Sequence, residues 1–323
     1  MPHLLQIKQS EQLATLPNSG LSAIAPELLI QHRPDAHWAL VEGDRLLAHC
    51  SLWWRQVPVV RAGLIGHYGA IDCAAAEELL HHAGRELATN GCNFAIAPID
   101  GNTWRRYRAV CDRGSEPLFF LEPDNPAEWC EQFQAAGFAA IAHYYSAVNL
   151  DLSQQDSRLA RIAARFAERV QIRSIDPAQL EAELDAIYQL SLISFQHNFL
   201  YTPIDRAEFL AQYRQVVPFL KPELVLMAEQ DGQLVGFLFA LPDLLEAKRG
   251  AIDTVIIKTV AVLPGREFAG LGSLLVARAQ AIAQALGYTR AIHALMHETN
   301  RSLNLSRRYA VPMRRYCLFG RSI

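Results

Sequence analysis

The sequence lacks any apolar run long enough to cross a bilayer. Its hydrophobic stretches fall short of the ~18 residues that a spanning helix needs. The first residues also lack the order of a charged, an apolar and a small-residue segment that is typical of a signal peptide. We therefore expect a soluble, cytoplasmic protein with no membrane partner.

Cysteine is scarce and unevenly placed. There are 6 cysteines in 323 residues, and no two have C-x-x-C spacing. This spacing argues against a zinc knuckle or a dithiol redox motif. We expect mostly buried, reduced thiols and no bound metal ion.

A strong charge of either sign is also missing, since the net charge is −3 and the pI is about 6.4. Residues 1–150 carry 10 Lys and Arg against 16 Asp and Glu, whereas residues 151–323 carry 20 against 17. The balance argues against nucleic acid as a partner. The more basic second half is the better host for an anionic ligand.

The length predicts two domains, and the order of apolar runs indicates that they are copies of one fold. ALVEGDRLLA at 39–48 resembles LMAEQDGQLVG at 226–236, and each is followed by a strand, a helix ending at glycine and another strand. We predict a first domain at 1–150, a linker helix at 151–169 and a second domain at 170–323. A monomer or a homodimer is compatible with this arrangement.

The second half shows its elements clearly. Apolar runs flank Asp231-Gly232, which predicts a β-hairpin. Residues 252–263 are rich in β-branched side chains and predict a strand, and apolar residues at helical spacing then run to a capping Gly287. Hairpins combined with strand–helix–strand crossovers predict an α+β (mixed α/β) fold. Each domain should have a central mixed, mostly antiparallel sheet with helices on both faces.

The chemically informative segment is VAVLPGREFAGLGSLLVA at 260–277. A strand, a glycine-containing loop and a helix start follow one another, and the free N–H groups and dipole of a helix start attract anions. A Rossmann fingerprint is excluded because Leu275 stands where the third glycine belongs. A P-loop is excluded because Gly-Lys-Ser/Thr is absent.

With the following strand and Asn300, this segment resembles the acyl-CoA signature of the GNAT superfamily of N-acetyltransferases. The resemblance covers the second half of the chain. The first half is similar to a degenerate second copy, because it has no G-x-G at the corresponding loop. The whole chain therefore resembles a tandem GNAT protein whose first half does not bind CoA.

The resemblance implies acetyl-CoA as cofactor, with CoA as product and no metal. Backbone groups of one strand would pair with the pantetheine arm, amides of the loop and helix start would hold the pyrophosphate, and further side chains would lie at the two ends of the cofactor. These residues are Val260, Ala261, Val262, Arg266, Glu267, Phe268, Ala269, Gly270, Leu271, Gly272, Ser273, Asn300 and Arg307. The sequence departs from the family at Glu267. This departure matters because a carboxylate beside a diphosphate is unfavourable.

The acid–base groups are less clear from the sequence. The family's usual acid, a Tyr on the helix after Asn300, is missing at the counted position, which holds Arg307. Tyr309 and Tyr316 are the alternatives for the acid, and each is equally compatible with a place in the core. His297 and Glu298, which follow a strand, are the first alternatives for the base. Glu229 at the hairpin and Lys258 on the next strand come after them, and Lys258 is also compatible with a solvated charge at the strand edge.

Two unusual stretches have no settled role. The six arginines after residue 300 occur without a single acid, and they predict either a solvated basic face or a site for the nucleotide phosphate or an acidic substrate. The segment GNTWRRYR at 101–108 predicts either a loop packed on its own domain or a pocket for an anionic or planar ligand. Residues 117–126 are predicted to form a covering segment. Residues 195–203 are where the superfamily often builds its acceptor site.

The sequence therefore predicts an N-acyltransferase that moves an acetyl or short acyl group from acyl-CoA to a primary amine of a small molecule or peptide by direct attack. Two alternatives stay open. One is a non-catalytic protein that senses acyl-CoA, and the other is an aminoacyl-tRNA-dependent transferase.

Overall fold

The computed structural model describes residues 1–17, 19–154, 158–299 and 310–323. In the first half, the strands are β1 (His3–Ile7), β2 (Ser19–Gly20), β3 (Ala36–Glu42), β4 (Arg45–Trp53), β5 (Ala62–Ala70), β6 (Phe94–Ala97), β7 (Ala109–Asp112) and β8 (Ala139–Asn149). In the second half they are β9 (Gln171–Ser174), β10 (Val225–Gln230), β11 (Gln233–Pro242), β12 (Thr254–Val262), β13 (Arg290–His297) and β14 (Val311–Ser322).

The α-helices of the described part of the chain lie on both faces of these strands. They are α1 (Pro26–His32), α2 (Cys73–Thr89), α3 (Trp129–Ala135), α4 (Leu159–Phe166), α5 (Leu180–Ser194), α6 (Arg206–Val216) and α7 (Leu271–Ala285). Helix α4 lies within residues 151–169, where the sequence predicts a linker helix, and its Phe166 is buried. The mixed sheet with helices on both faces confirms the predicted fold class.

Local sequence explains the best-defined elements. The two-residue turn Asp231-Gly232 between β10 and β11 has positive φ at both positions, 52° and 77°, as a tight hairpin turn requires. Helix α7 buries Leu271, Leu275 and other apolar residues at helical spacing. It ends where Gly287 adopts a φ of 94°, so the predicted cap is confirmed.

The strands form one sheet that runs through both halves, in the order β1-β3-β4-β5-β6-β14-β8-β13-β12-β11-β10-β9, with β2 paired to β4 and β7 paired to β14 off this path. The final strand of each half is exchanged. β14 of the second half lies between β6 and β8, and β8 of the first half lies between β14 and β13. Each half therefore completes its sheet with a strand from the other half, and the predicted boundaries at 150 and 170 stay predictions.

Ion pairs and one aromatic side chain also join the halves. Arg314 pairs with Glu122, with its Nε 2.7 Å from Oε1, and both side chains are buried. Arg105 pairs with Glu208 at 2.6 Å. The Nε1 of Trp104 donates to the carbonyl of Thr202 at 2.8 Å. The segment GNTWRRYR therefore bonds to the second half as well as to the first half.

The covering segment at 117–126 also crosses to the second half. Phe119 is buried in a cluster with Phe209, Phe237 and other core residues of that half. The amide of Phe120 donates to the Asp243 carboxylate at 2.8 Å. The predicted covering segment thus packs against the second half, which the sequence did not indicate.

The sequence predicts mostly buried, reduced thiols, and one pair departs from this expectation. Cys111 and Cys130 form a disulfide, with their Cα atoms 5.9 Å apart. Strand β7 carries the first cysteine and helix α3 the second, and the two elements pack together although 19 residues separate the thiols. The other four cysteines are free, and three of them are buried.

Candidate functional site

The parallel strands β12 and β13 separate partway along their length. Their pairing runs from Thr254 opposite Arg290 to Ile257 opposite His293. Beyond that point β12 stays paired with β11 as far as Val262, and β13 stays paired with β8 as far as His297. A cleft therefore opens between residues 258–262 and 294–297.

Both strands are irregular where the cleft opens. On β12, Lys258 has no register partner, because Ile257 lies opposite Ala240 and Thr259 opposite Phe239. On β13, Leu295 has a φ of 62°, which a leucine rarely adopts. Bulges leave a residue outside the ladder and re-aim its backbone groups, so these two positions can present polar backbone atoms to the cleft.

The mouth of the cleft holds the start of α7. Its N-cap is Gly270, which has a φ of 94° and no side-chain cap. A Cβ on Gly272 would lie 3.6 Å from Val260 and 3.7 Å from Val262, so the first turn of the helix faces the exposed part of β12. The first amides of a helix have no partner within it, and here they point their partial positive charge at the predicted pyrophosphate position.

The loop before α7 is tightened by its own hydrogen bonds. The amide of Ala269 donates to Arg266 at 3.2 Å, and that of Leu271 donates to Phe268 at 3.0 Å. The carboxylate of Glu267 folds onto Gly265, at a place that any side chain on Gly265 would occupy. The unfavourable carboxylate thus lies on the loop at an exposed position, where water screens its charge.

The first half has the same strand separation without the cradle. β5 pairs with β6 in parallel only from Ala62 to Leu64. The following helix α2 is capped by Asp72, whose carboxylate accepts from the amide of Ala75 at 2.8 Å. The capping carboxylate occupies the helix start and repels anions. This arrangement supports the prediction that the first half does not bind CoA.

The predicted base residues lie at the far end of β13. The ring of His297 is 4.8 Å from Tyr144 and 5.7 Å from Phe199, which belongs to the predicted acceptor segment. Its Nδ1 lies 2.9 Å from Thr299 Oγ1, and its buried Nε2 has no partner among the described residues. Burial lowers the pKa of His297, so the imidazole is neutral at pH 7. Glu298 accepts from the amide of His143 at 3.2 Å.

Of the predicted acid residues, the one within the described part of the chain is buried. Tyr316 is fully buried on β14, and its hydroxyl contacts Glu122 and, at 2.9 Å, Ser146. Burial raises the pKa of Tyr316 above its ordinary value. Tyr309, Asn300 and Arg307 lie outside the described residues, so their roles stay predictions.

Lys258 is the residue that sequence reasoning underrated. Its Nζ donates to the carbonyl of Leu121 at 2.9 Å. Burial, and then the nearby Arg108 guanidinium, lower the pKa of Lys258 to about 7, although Glu122 opposes the shift. A lysine within a run of β-branched residues was the signal, but the bulge that places it in the cleft cannot be read from the sequence.

Arg108 completes the floor of the cleft from the first half. Its guanidinium lies 3.8 Å from the ring centre of Tyr107 and 4.2 Å from that of Tyr144, and donates to the carbonyl of Leu295 at 3.2 Å. Stacking between two rings holds the charge in place. Arg108 also lies close enough to His297 and Lys258 to lower the pKa of each.

The described arginines of the C-terminal tail are bonded within the protein. Arg314 pairs with Glu122, and Arg315 lies 3.7 Å from Asp112. Arg321 bonds to the carbonyl of Ala136. Their positions favour a structural role, whereas the arginines at 301, 307 and 308 lie outside the described residues.

A strand–loop–helix segment at the mouth of a cleft between diverging parallel strands is an arrangement that can bind an anionic ligand. Residues 184–309 match the family model for the acetyltransferase (GNAT) family. This part of the chain is therefore a GNAT domain. No curated protein sequence matches the chain.

Solved structures share the fold over nearly the whole chain. A tandem GNAT protein from the clavulanic acid biosynthesis pathway has a TM-score of 0.52 at 14% identity, covering 100% of this chain and 98% of that one. A GCN5-related N-acetyltransferase from Sphaerobacter thermophilus has a TM-score of 0.51 at 12% identity, covering 99% and 95%. These likenesses show a tandem GNAT fold.

A glucosamine N-acetyltransferase region in a fungal multi-domain GH3 β-N-acetylglucosaminidase also has the fold, with a TM-score of 0.56 at 14% identity. The match covers 99% of this chain but only 38% of the fungal chain. This protein thus corresponds to one region of that larger enzyme. In the described part of the chain, no helix is long and apolar enough to cross a membrane.

Proposed function

We propose that the protein is an N-acyltransferase that moves an acetyl or short acyl group from acyl-CoA to a primary amine by direct attack. The observation that carries the proposal is the cleft between β12 and β13, with the uncapped start of α7 at its mouth. The first half lacks this combination, because Asp72 caps its corresponding helix. One acyl-CoA per chain is therefore expected.

The cofactor would lie along the exposed edge of β12. The backbone of residues 260–262 would pair with the pantetheine amides. The amides at 268–273, other than those of Ala269 and Leu271, which donate within the loop, would hold the pyrophosphate. Gly272 fits this role because a Cβ there would contact the side chains of Val260 and Val262 and fill the place between them and the helix start. The thioester would then reach the bulge at Lys258.

In the reaction, the amine nitrogen attacks the thioester carbonyl carbon, the C–N bond forms, the C–S bond breaks, and the thiolate takes a proton. We assign proton removal from the amine to His297, because its imidazole is neutral and its Nε2 is free of partners among the described residues. We assign stabilisation of the leaving thiolate to the Lys258 ammonium, whose pKa of about 7 suits proton transfer near neutral pH. The acceptor would enter past Phe199, which is 41% exposed.

A charge-only substitution in the cradle tests the assignment. Gly272→Asp and Gly272→Asn add side chains of nearly equal size, and only the first brings a negative charge to the pyrophosphate position. We expect Gly272→Asp to abolish acetylation of a panel of primary amines by acetyl-CoA, and Gly272→Asn to retain part of it. Equal activity of the two variants would contradict the placement of the pyrophosphate.

The same assay separates turnover from sensing. Acetyl-CoA that is bound but never consumed with any amine supports an acyl-CoA sensor. Aminoacyl transfer from charged tRNA, without affinity for CoA, supports an aminoacyl-tRNA-dependent transferase.

A further inference from the structure

The cleft of the first half contains potential metal-ligating side chains, although it has no pyrophosphate cradle. An open cavity of about 1190 Å³ lies there, where β5 and β6 have separated. His32, His67 and Asp100 line it together. One ligand atom from each of these three residues lies within 4.8 Å of the others.

We propose that His32, His67 and Asp100 bind a divalent transition-metal ion, with an open coordination position facing this cavity. Two imidazoles and one carboxylate match the three-ligand sites in which Zn²⁺ keeps a fourth position for water or a small ligand. Imidazole ligands favour such metals over Mg²⁺ and Ca²⁺, which prefer oxygen. The metal ion and its site lie apart from the acyltransfer cleft of the second half.

His67 is held in an unusual backbone conformation at this site. It lies at a bulge of β5, since His49 is opposite Gly69 and Ser51 is opposite Gly66. Its φ is 43°, which costs energy for a residue with a side chain. This strained backbone conformation occurs at the point where His67 lies close to the other two residues. This bulge lies just past the strand separation, as Lys258 does in the second half.

The two imidazoles already face each other. His32 Nδ1 lies 2.8 Å from His67 Nε2. At Zn–N distances of about 2.0–2.1 Å, tetrahedral geometry puts two nitrogen ligands roughly 3.3 Å apart. The rings would separate by about half an ångström to admit the ion, a small movement because His32 lies at the end of the short helix α1.

A hydrogen-bonded chain behind His67 supports the ligand role. His67 Nδ1 lies 2.9 Å from Ser51 Oγ, which lies 2.8 Å from His37 Nδ1. With a metal on His67 Nε2, its Nδ1–H donates to Ser51, and Ser51 donates to His37. Metal-bound imidazoles usually have such an outer partner, which fixes the ring and its tautomer.

The charge state of the residues also suits a cation. An imidazole is a metal ligand in its neutral form, which is the main form of a histidine with an ordinary pKa of about 6.5 at pH 7. Asp100 is buried, and its Oδ1 accepts from the amide of His67 at 2.5 Å. A divalent ion would neutralise the negative charge of this buried carboxylate.

Two cations, Arg105 and Arg106, lie close enough to act electrostatically on His67 and Asp100, and each has partners elsewhere in the protein. Arg105 donates to the carbonyls of His32 and Asp100, but its guanidinium is paired with Glu208 through two hydrogen bonds of 2.6 and 3.0 Å. Arg106 stacks on Trp129 at 5.1 Å. Its charge would favour an anion in the open coordination position.

The test is calorimetric titration of the full-length protein, freed of metal by a chelator, with Zn²⁺. It uses a Cys73→Ser background, which removes a partly exposed thiol. We expect one ion per chain, and a loss of more than about 100-fold in affinity for Asp100→Asn and His32→Gln, because these residues are direct ligands. His81→Gln, an exposed histidine on α2, is the matched control and should bind as the parent does.

Two readouts keep the result decisive. Co²⁺ in place of Zn²⁺ should give the strong visible absorption of a tetrahedral site in the parent and in His81→Gln, but not in His32→Gln. His32 lies outside the sheet, so this variant reports on coordination even if Asp100→Asn fails to fold. Absence of stoichiometric Zn²⁺ binding, or unchanged binding in His32→Gln, would overturn the proposal.

Discussion

A lysine inside a run of β-branched residues loses hydration, and Lys258 shows the consequence. Burial lowers its pKa to about 7, and the bulge in β12 puts it where the strands separate. Since the ammonium form is present below this pKa and lost above it, a step that needs the charge should weaken as the pH rises past about 7.

We therefore expect kcat with acetyl-CoA to fall above about pH 7, and Lys258→Arg to keep its activity to higher pH because a guanidinium stays charged. Lys258→Met should lower kcat across the whole range. The check is the pH profile of kcat at saturating amine. A profile that is identical in the parent and in Lys258→Arg would contradict the assigned role.

Glu267 is the one departure from the family's loop, and its effect is electrostatic. Two charges ~4 Å apart in water interact by about 1 kcal/mol. Glu267→Gln should therefore tighten acetyl-CoA binding by up to about fivefold at low salt, with less effect at high salt. Titrations at two salt concentrations measure this. Weaker binding by Glu267→Gln would mean that the carboxylate orders the loop through its contact with Gly265.

At the scale of elements, the exchange of β8 and β14 was the feature that the sequence could not reveal. The apolar runs predicted both strands, but the choice of neighbour depends on contacts between residues far apart in the chain. Ala291 opposite Asn149 and Phe319 opposite Ala97 are such contacts. The hairpin at Asp231-Gly232 and the caps of α7 were predictable because their determinants are local.

The exchange makes the two halves one folding unit. Removing either half leaves the other without a central strand, so we expect a single cooperative unfolding transition for the full chain. Calorimetric and van't Hoff enthalpies should then agree. Two resolved transitions would show that the halves are stable independently in spite of the shared sheet.

At the scale of the molecule, the two halves carry clefts of different chemistry. The second half keeps Gly270 and an uncapped helix start, whereas the first half has Asp72 at the helix start and histidines in the cleft. The cradle could be found from the sequence because its residues are consecutive. The cluster of His32, His67 and Asp100 could not, since three separate elements bring it together.

The most direct test of the account is a titration of the full-length protein with acetyl-CoA, alongside Gly270→Ala and Gly287→Ala. Both glycines have a φ of 94° and lie at opposite ends of α7, so both substitutions strain the backbone; a Cβ on Gly270 would in addition lie 3.3 Å from Ile162, whereas one on Gly287 would meet nothing within 4 Å. We predict one site per chain, lost in Gly270→Ala and kept in Gly287→Ala. Two sites, no binding at millimolar acetyl-CoA, or equal binding by the two variants would contradict the claim that the start of α7 holds the cofactor.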